Sequence, residues 1–300
     1  PLFSKDPKRI KNQIKIYHFK TDKSSYLEIE APANYSIPGE FEERVFIALT
    51  KIMKNNNYSR SFVVSANEIL ETLGLSNKAY YKRIREALTL LSKTNYTFLN
   101  SLYSNKESGI IEKKIMSNIM NITIISKKDS RAKEIEAFED GRIKEVYEIN
   151  FTDYFYENII RKGYLAFDSG KLLAIENSVS RAIYTIVEKW RGYDLYIKRQ
   201  AFFIARRIPL KWDKTQIKRT IDTMEKALIE LRNLNLIKNY KIIKEKKWEL
   251  AEIEITYEES HNKTKRDTFF TEKNEFNSMD MLVTSTEEKI KCISEDFQSG

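Results

Sequence analysis

Cysteine is all but absent from this chain. One thiol, Cys292, stands among 300 residues, so neither a disulfide framework nor a cysteine zinc site can form within it, which suits a reducing cytoplasm. Histidine is as scarce: His18 and His261 lie far apart and in unlike contexts. That excludes a rolling-circle nickase, which pairs histidines around a metal beside a tyrosine nucleophile, and no metal site is expected. A phosphate loop needs four residues between its glycines and then Gly-Lys-Ser/Thr. Gly163 and Gly170 have six residues between them, and Lys171 is followed by Leu172. Carboxylates are plentiful but scattered, with no paired site. The chain therefore reads as non-catalytic and without a cofactor. No apolar run is long enough to span a bilayer, and the opening Pro1-Leu-Phe-Ser-Lys5 has no signal-peptide pattern; a cytoplasmic protein is expected. That opening also lacks Met, as in a processed chain or a piece of a longer one. With only eight glycines and five prolines, long helices and strands are expected rather than loops.

What is abundant is positive charge. The formal net charge is +9, and it is unevenly spread. Residues 258–300 hold six Lys/Arg and ten Asp/Glu, a net of −4, leaving +13 on residues 1–257. A basic body of this kind favours a polyanionic partner, nucleic acid before membrane. The chain is 41% hydrophobic and 12% aromatic, enough for proper cores, and its length allows about two domains.

The stretch from Val64 to Leu91 organises the rest. It reads as a short helix, a turn at Gly74-Leu-Ser76, and a longer basic helix. Ser65 suits an N-cap, with Glu68 at capping-box spacing, and Gly74 suits the left-handed position that ends a helix. Ser76 or Asn77 can cap the second helix. There Tyr80, Ile84, Ala87, Leu88 and Leu91 share one face, while Lys78, Lys82, Arg85 and Thr89 fall opposite. Helix–turn–helix followed by strands is the plan of a winged-helix DNA-binding domain.

Around that stretch, residues 1–15 read as a basic arm or a disordered terminus. Ile14–Phe19 and Tyr26–Ile29 alternate like strands, Phe41–Lys54 is an amphipathic helix, and Phe62–Val64 a short strand. Thr94–Tyr103 and Ile115–Ile125 are expected to form one hairpin. A loop with Lys127, Lys128, Arg131 and Lys133 then leads to a third strand, Val146–Phe151. The plan recurs. A short helix from Thr152-Asp153, a helix at Ser178–Trp190, a strand at Leu195–Ile197 and a compact helix at Gln200–Arg207 precede a long helix opened by Asp213 or Thr215. Ile217, Ile221, Met224, Leu228 and Leu231 line that helix, with Arg219, Asp222 and Lys226 opposite. A second hairpin, Leu236–Ile243 with Trp248–Tyr257, follows. The expected fold is α+β: two tandem winged-helix domains, 1–151 with a basic arm and elaborated wing and 152–257, then an acidic, mostly disordered tail, 258–300, with one short helix at Glu287–Ile293.

Four stretches resemble the replication initiator protein A family and, more broadly, tandem winged-helix plasmid Rep proteins. They are Ile37-Pro-Gly-Glu-Phe-Glu-Glu-Arg-Val-Phe46, the Gly74-Leu-Ser76 turn with its basic helix, Asn177-Ser-Val-Ser-Arg-Ala-Ile-Tyr-Thr-Ile-Val-Glu-Lys-Trp190, and Ala227-Leu-Ile-Glu-Leu-Arg-Asn-Leu-Asn-Leu-Ile237. The third is similar to the family's Ser-x-x-Ala-Arg-x-Leu-Tyr-x-x-Leu-Asp-Lys run. In the fourth, Asn235 stands where the family usually has Gly, and Asn tolerates positive φ. The resemblance covers about residues 10–257. It implies recognition of a plasmid replication origin, duplex opening and recruitment of a replicative helicase, without catalysis, by dimers that interconvert with active monomers.

On this reading Asn77, Lys78, Tyr81, Lys82, Arg83 and Arg85 meet double-stranded DNA in the first unit, and Thr215, Gln216, Lys218, Arg219 and Lys226 in the second. Gln216 and Arg219 are the base readers, because Gln and Arg make bidentate contacts to adenine and guanine. Lys127 and Lys128 near the first wing, and Lys244, Lys246 and Lys247 on the second, hold phosphates. The helix starts at Asn77 and Thr215 are expected to offer N–H groups to phosphate. A winged-helix transcriptional regulator would share these surfaces; the lack of a spare ligand domain favours the initiator.

Overall fold

The computed structural model describes residues 2–6, 8–19, 23–104, 109–129, 135, 138, 141–160, 168–208, 210–244, 247–263 and 265. Strands β1 (Ile14–His18) and β2 (Tyr26–Glu30) come first, then helix α1 (Glu40–Asn55), strand β3 (Ser61–Ser65) and helices α2 (Ala66–Thr72) and α3 (Tyr80–Lys93). Strands β4 (Asn95–Leu99), β5 (Tyr103–Ser104), β6 (Gly109–Ile110), β7 (Lys114–Ser117), β8 (Met120–Ser126) and β9 (Glu145–Phe151) follow. Helices α4 (Asp153–Ile160), α5 (Ser169–Ala174) and α6 (Ser178–Arg191) lead to β10 (Tyr196–Gln200), α7 (Ala201–Arg207), α8 (Ile217–Asn233), β11 (Asn239–Ile243) and β12 (Glu252–Thr256). The chain is a mixed α+β protein.

One succession occurs at two places: helix, strand, helix, helix, strand, strand, with β4 to β7 inserted after the third helix of the first. In the first, α1 precedes β3, α2 and α3, and the antiparallel sheet runs β3-β9-β8. In the second, α6 precedes β10, α7 and α8, and the antiparallel sheet runs β10-β12-β11. In both, the strand after the first helix pairs with the last strand. Ser65 caps α2 by accepting the Glu68 N–H at 3.1 Å, and Gly74 ends that turn with φ +70. Asn235 takes φ +53 after α8, the left-handed turn that its side chain tolerates. Ile84, Ala87, Leu88 and Leu91 of α3 are buried, as are Ile217, Ile221, Met224, Leu228 and Leu231 of α8.

Three features differ from the sequence reading. The hairpin expected from Thr94–Tyr103 and Ile115–Ile125 is divided. β4 does pair with β7, in a four-stranded sheet β1-β2-β4-β7, but β8 belongs with β9. Asn118 holds the break: its amide donates to Ser92 O at 2.9 Å, to Met120 O at 3.2 Å and to Asn121 Oδ1 at 2.9 Å. Secondly, residues 2–6 and 8–13 are a strap packed on the body. Phe3 is buried against Phe46 with ring centroids 5.7 Å apart, Ser4 N–H donates to Pro38 O at 2.8 Å, and Asn12 N–H donates to Tyr35 O at 2.8 Å. Thirdly, residues 259–263 and 265 are helical, and Asn262 is buried, accepting from Arg191 Nη1 at 2.7 Å and donating to Tyr193 O at 2.6 Å. The expected helix at Glu287–Ile293 lies outside the described residues.

Two apolar clusters carry the packing. One gathers residues from Phe3 to Leu173 and includes Phe155 of α4. The other begins at Ile175 and ends at Tyr257. A small third cluster joins Ile125 of β8 and Val146 of β9 with Phe138.

Candidate nucleic-acid interface

The α3 surface follows from its periodicity. With Ile84, Ala87, Leu88 and Leu91 turned to the core, Lys82 and Arg85 are exposed on the far side, and Lys78 is exposed in the turn just before the helix. Arg85 leans toward β9, its Nη1 3.4 Å from Glu145 Oε2. On one flank Tyr81, half-buried, donates its hydroxyl to Asn67 Oδ1 at 2.9 Å. On the other, the Arg83 guanidinium lies 4.1 Å from the centroid of Phe41, whose ring stacks on Tyr80. Arg83 is exposed but committed to the α1 side. Asn77 caps a turn before α3 rather than the helix itself, with its side chain accepting the Ala79 N–H at 2.9 Å and its carbonyl the Tyr80 N–H at 3.1 Å. Lys127 and Lys128 are exposed at the end of β8, where Lys127 N–H donates to Lys144 O at 2.9 Å. Arg131 and Lys133 lie outside the described residues.

The α8 surface is built the same way. Lys218, Arg219 and Lys226 are exposed, with Asp222 between them. Thr215 and Gln216 are exposed ahead of the helix, which starts at Ile217. Asp213 closes this start: its Oδ1 accepts both the Thr215 N–H and the Thr215 hydroxyl at 3.0 Å, and those bonds hold its carboxyl below the usual carboxylate range. The Thr215 N–H is thus taken by the chain's own carboxylate. The ladder of the second hairpin is shorter than expected, because Trp248–Leu250 is a 3-10 turn and the return strand begins at Glu252. Lys244 sets its ammonium 4.6 Å from the Trp248 centroid, Lys247 is exposed, and Lys246 lies outside the described residues.

The two ridges are exposed; neither is buried between the clusters. Such ridges can hold phosphates and present amide and guanidinium groups to base edges. Sequence reasoning missed two further groups of cations. Arg9 of the strap, with Tyr35 and Ser36, walls a cleft whose other side is Lys82, Arg83 and Glu86 of α3; Arg9 is tied to Glu42. In the second unit Arg199, Arg206, Arg207 and Lys211 are exposed around α7, beside the exposed Phe203. The spacing of Phe203, Arg206 and Arg207 on one face of a short helix was the signal available for these. Among the described residues, no group of three or more His, Cys, Asp or Glu side chains is placed to hold a metal ion, and no helix is long and apolar enough to cross a membrane.

Fold and surface together define a basic α+β chain that repeats one helix–strand succession on two cores. The chain belongs to the replication initiator protein A family, whose model matches residues 1–197, and its role lies in the initiation of replication. The match ends inside β10, so α7, α8, β11 and β12 lie beyond it. No curated protein matches the sequence. Among solved structures, domains 2 and 3 of RctB, as a selenomethionine derivative, superpose with a TM-score of 0.57 over 85% of this chain and 94% of that one, at 12% identity. A second structure of RctB domains 2-3 gives 0.56 over 88% and 98%, at 13% identity. At these identities the likeness is one of fold.

Proposed function

We propose that the chain is a non-catalytic initiator that binds double-stranded DNA at a plasmid replication origin, sequence-specifically, through two tandem winged helices. The observation that carries this is the repeat itself: two units of one strand order, each with an exposed cationic ridge on its third helix, α3 and α8. The likeness to a two-domain stretch of RctB supports the division into two units. We take the division between Leu173 and Ile175, where the two apolar clusters part, rather than at residues 151 and 152, because Phe155 and Leu173 pack with the first. Lys78, Lys82 and Arg85, with Lys127 and Lys128, would hold phosphates in the first unit, and Lys218, Lys226, Lys244 and Lys247 in the second. Gln216 and Arg219 would read bases. A homodimer in equilibrium with its monomer, and a replicative helicase as partner, belong to the same reading.

Selection of bound duplex from a random pool, followed by titration of the selected site against salt, tests it. We expect affinity to fall with salt with a log–log slope of about −5 or steeper, as for several phosphates neutralised together. A flat dependence, or no enriched site, would overturn the proposal.

A further inference from the structure

The runs Ile37–Phe46 and Asn177–Trp190 mark this chain's likeness to its family, yet neither supplies an exposed cationic ridge. They meet each other. Arg181, in the first turn of α6, is only 1% exposed. Its Nε and Nη2 donate to Glu43 Oε2 at 3.2 and 3.1 Å, and Nη2 lies 3.8 Å from Glu40 Oε1. Its Nη1 donates to Ile175 O at 2.5 Å and Glu176 O at 2.9 Å. Glu43 stands in the first turn of α1, where the helix dipole favours a carboxylate. It also takes Lys5 Nζ at 2.5 Å, so the strap closes over the same carboxylate. One cluster of charge thus joins the helix that begins the first unit, the helix that begins the second, and the N-terminal strap.

Both helices lead straight to the ridges. α1 reaches α3 through the Phe41–Tyr80 stack and the Arg83 guanidinium on Phe41. α6 reaches α8 through Glu230, whose Oε1 accepts the Glu176 and Asn177 N–H groups at 2.8 and 3.2 Å and whose Oε2 accepts the Ser180 hydroxyl at 2.5 Å. Buried ion pairs add little net stability, since apolar groups of the same volume often serve as well. What a fork-shaped guanidinium filled from three directions does impose is orientation. An apolar seam could slide; this one cannot without orphaning a buried charge.

We infer that Arg181, gripped by Glu43, is a positioning residue that fixes the separation and angle between α3 and α8, so that the chain selects two half-sites at one spacing. The inference rests on the DNA-binding reading above. Its chemistry is that of a rigid linkage: two binding surfaces held at a set distance gain from each other only where the ligand matches that distance.

The test uses the full chain and duplexes in which base pairs are inserted between the halves of the selected site. For the natural sequence, inserting about 5 base pairs, half a helical turn, should weaken binding by about a hundredfold. Arg181→Met should bind each half alone as the natural chain does, but lose no more than about threefold on the same insertion, as a loose tether would. Arg181→Lys, which keeps the charge, should recover part of the steepness. An Arg181→Met profile as steep as the natural one would overturn the inference. Should that variant fail to fold, Glu43→Gln carries the same expectation. If the natural chain binds neither half, the DNA reading fails by itself, and the junction is then judged by distance. Spin labels at Lys93→Cys and Lys189→Cys, with Cys292→Ser, should give a narrow distribution that broadens with Arg181→Met; equal widths would overturn it.

Discussion

α3 and α8 occupy equivalent places in one repeated plan, but their outer faces differ. The α3 ridge is cationic from the turn before the helix through its first half, with Lys78, Lys82 and Arg85 exposed and Glu86 on its flank. The α8 ridge alternates: Arg219, Asp222 and Lys226 follow one another, Glu225 and Ile229 are exposed beside them, and the uncharged Thr215 and Gln216 stand at its head. A uniform ridge attracts any polyanion; a mixed ridge penalises phosphate at one point and rewards it at the next, which is how charge comes to discriminate. The first core is bordered, at the start of α1, by Glu43 with Lys5 and Arg181. The second is bordered by a buried ion pair, Glu188 with Arg191, at 2.7 and 2.8 Å. On the DNA-binding proposal the two ridges would divide the labour: α3 would supply affinity and α8 selectivity.

The largest effect should come from that ion pair. Arg191→Met leaves Glu188 without its closest partner and Asn262 without its donor, and breaking a buried pair in this way costs about 3–5 kcal/mol. All three tryptophans, Trp190, Trp212 and Trp248, lie after Ile175, so indole fluorescence reports on the second unit alone. Denaturant melts should show the fluorescence midpoint falling while a later step in far-UV circular dichroism stays. Coincident loss of both signals would mean one cooperative unit and break the comparison.

Next come the ridges themselves. Replacing Lys78, Lys82 and Arg85 together by Ala should lower the salt slope by about 2–3 on selected and random duplexes alike. Arg219→Ala should weaken the selected site by about 1–3 kcal/mol while sparing random DNA. Equal losses on random DNA from both sets, measured by fluorescence anisotropy, would erase the distinction between the ridges and reduce Arg219 to a phosphate contact.

How much of this was legible beforehand depends on how local each determinant is. The faces of α3 and α8 follow from spacing alone, because one side of each helix is buried against its own unit, and Asn235 and Gly74 announced their turns by residue type. The split of Ile115–Ile125 was not legible. Both fragments are β-rich, and only the three bonds of Asn118 and the choice of partner strand separate β7 from β8. Arg181 was hidden for the same reason: nothing in its own helix announces Glu43, 138 residues away, which is brought against it. Phe3 and Lys5 likewise read as a polar terminus, and only Phe46 and Glu43 make them a strap. Of the candidate site, the cations on α3 and α8 could be anticipated, whereas Arg9 enters through a tertiary contact with Glu42.

The smallest expected effect is also the sharpest test of how the two cores differ. Each unit buries a tyrosine whose hydroxyl is pushed above its usual range, first of all by burial: Tyr147 in the first and Tyr257 in the second. Tyr147 donates to Glu145 Oε1 at 2.6 Å. The Tyr257 hydroxyl has no hydrogen-bond partner among the described residues; Arg191 lies over its ring face, 3.9 Å from the centroid. Removing a bonded hydroxyl and removing an orphaned one are different experiments. Tyr147→Phe should cost about 1 kcal/mol, whereas Tyr257→Phe should be neutral or stabilising by a few tenths at neutral pH, about what an unpaired buried hydroxyl allows. Alkaline pH amplifies both. A folded-state tyrosine that keeps its proton while the unfolded chain loses one near pH 10 means the unfolded state binds fewer protons, so stability falls as pH rises through that value. Each Phe substitution should relieve that fall by about 1.4 kcal/mol per pH unit, and the Tyr257→Phe relief should appear in the tryptophan signal. A neutral-pH cost for Tyr257→Phe as large as that for Tyr147→Phe would show that its hydroxyl is bonded after all, and the second core would then be as fully satisfied as the first.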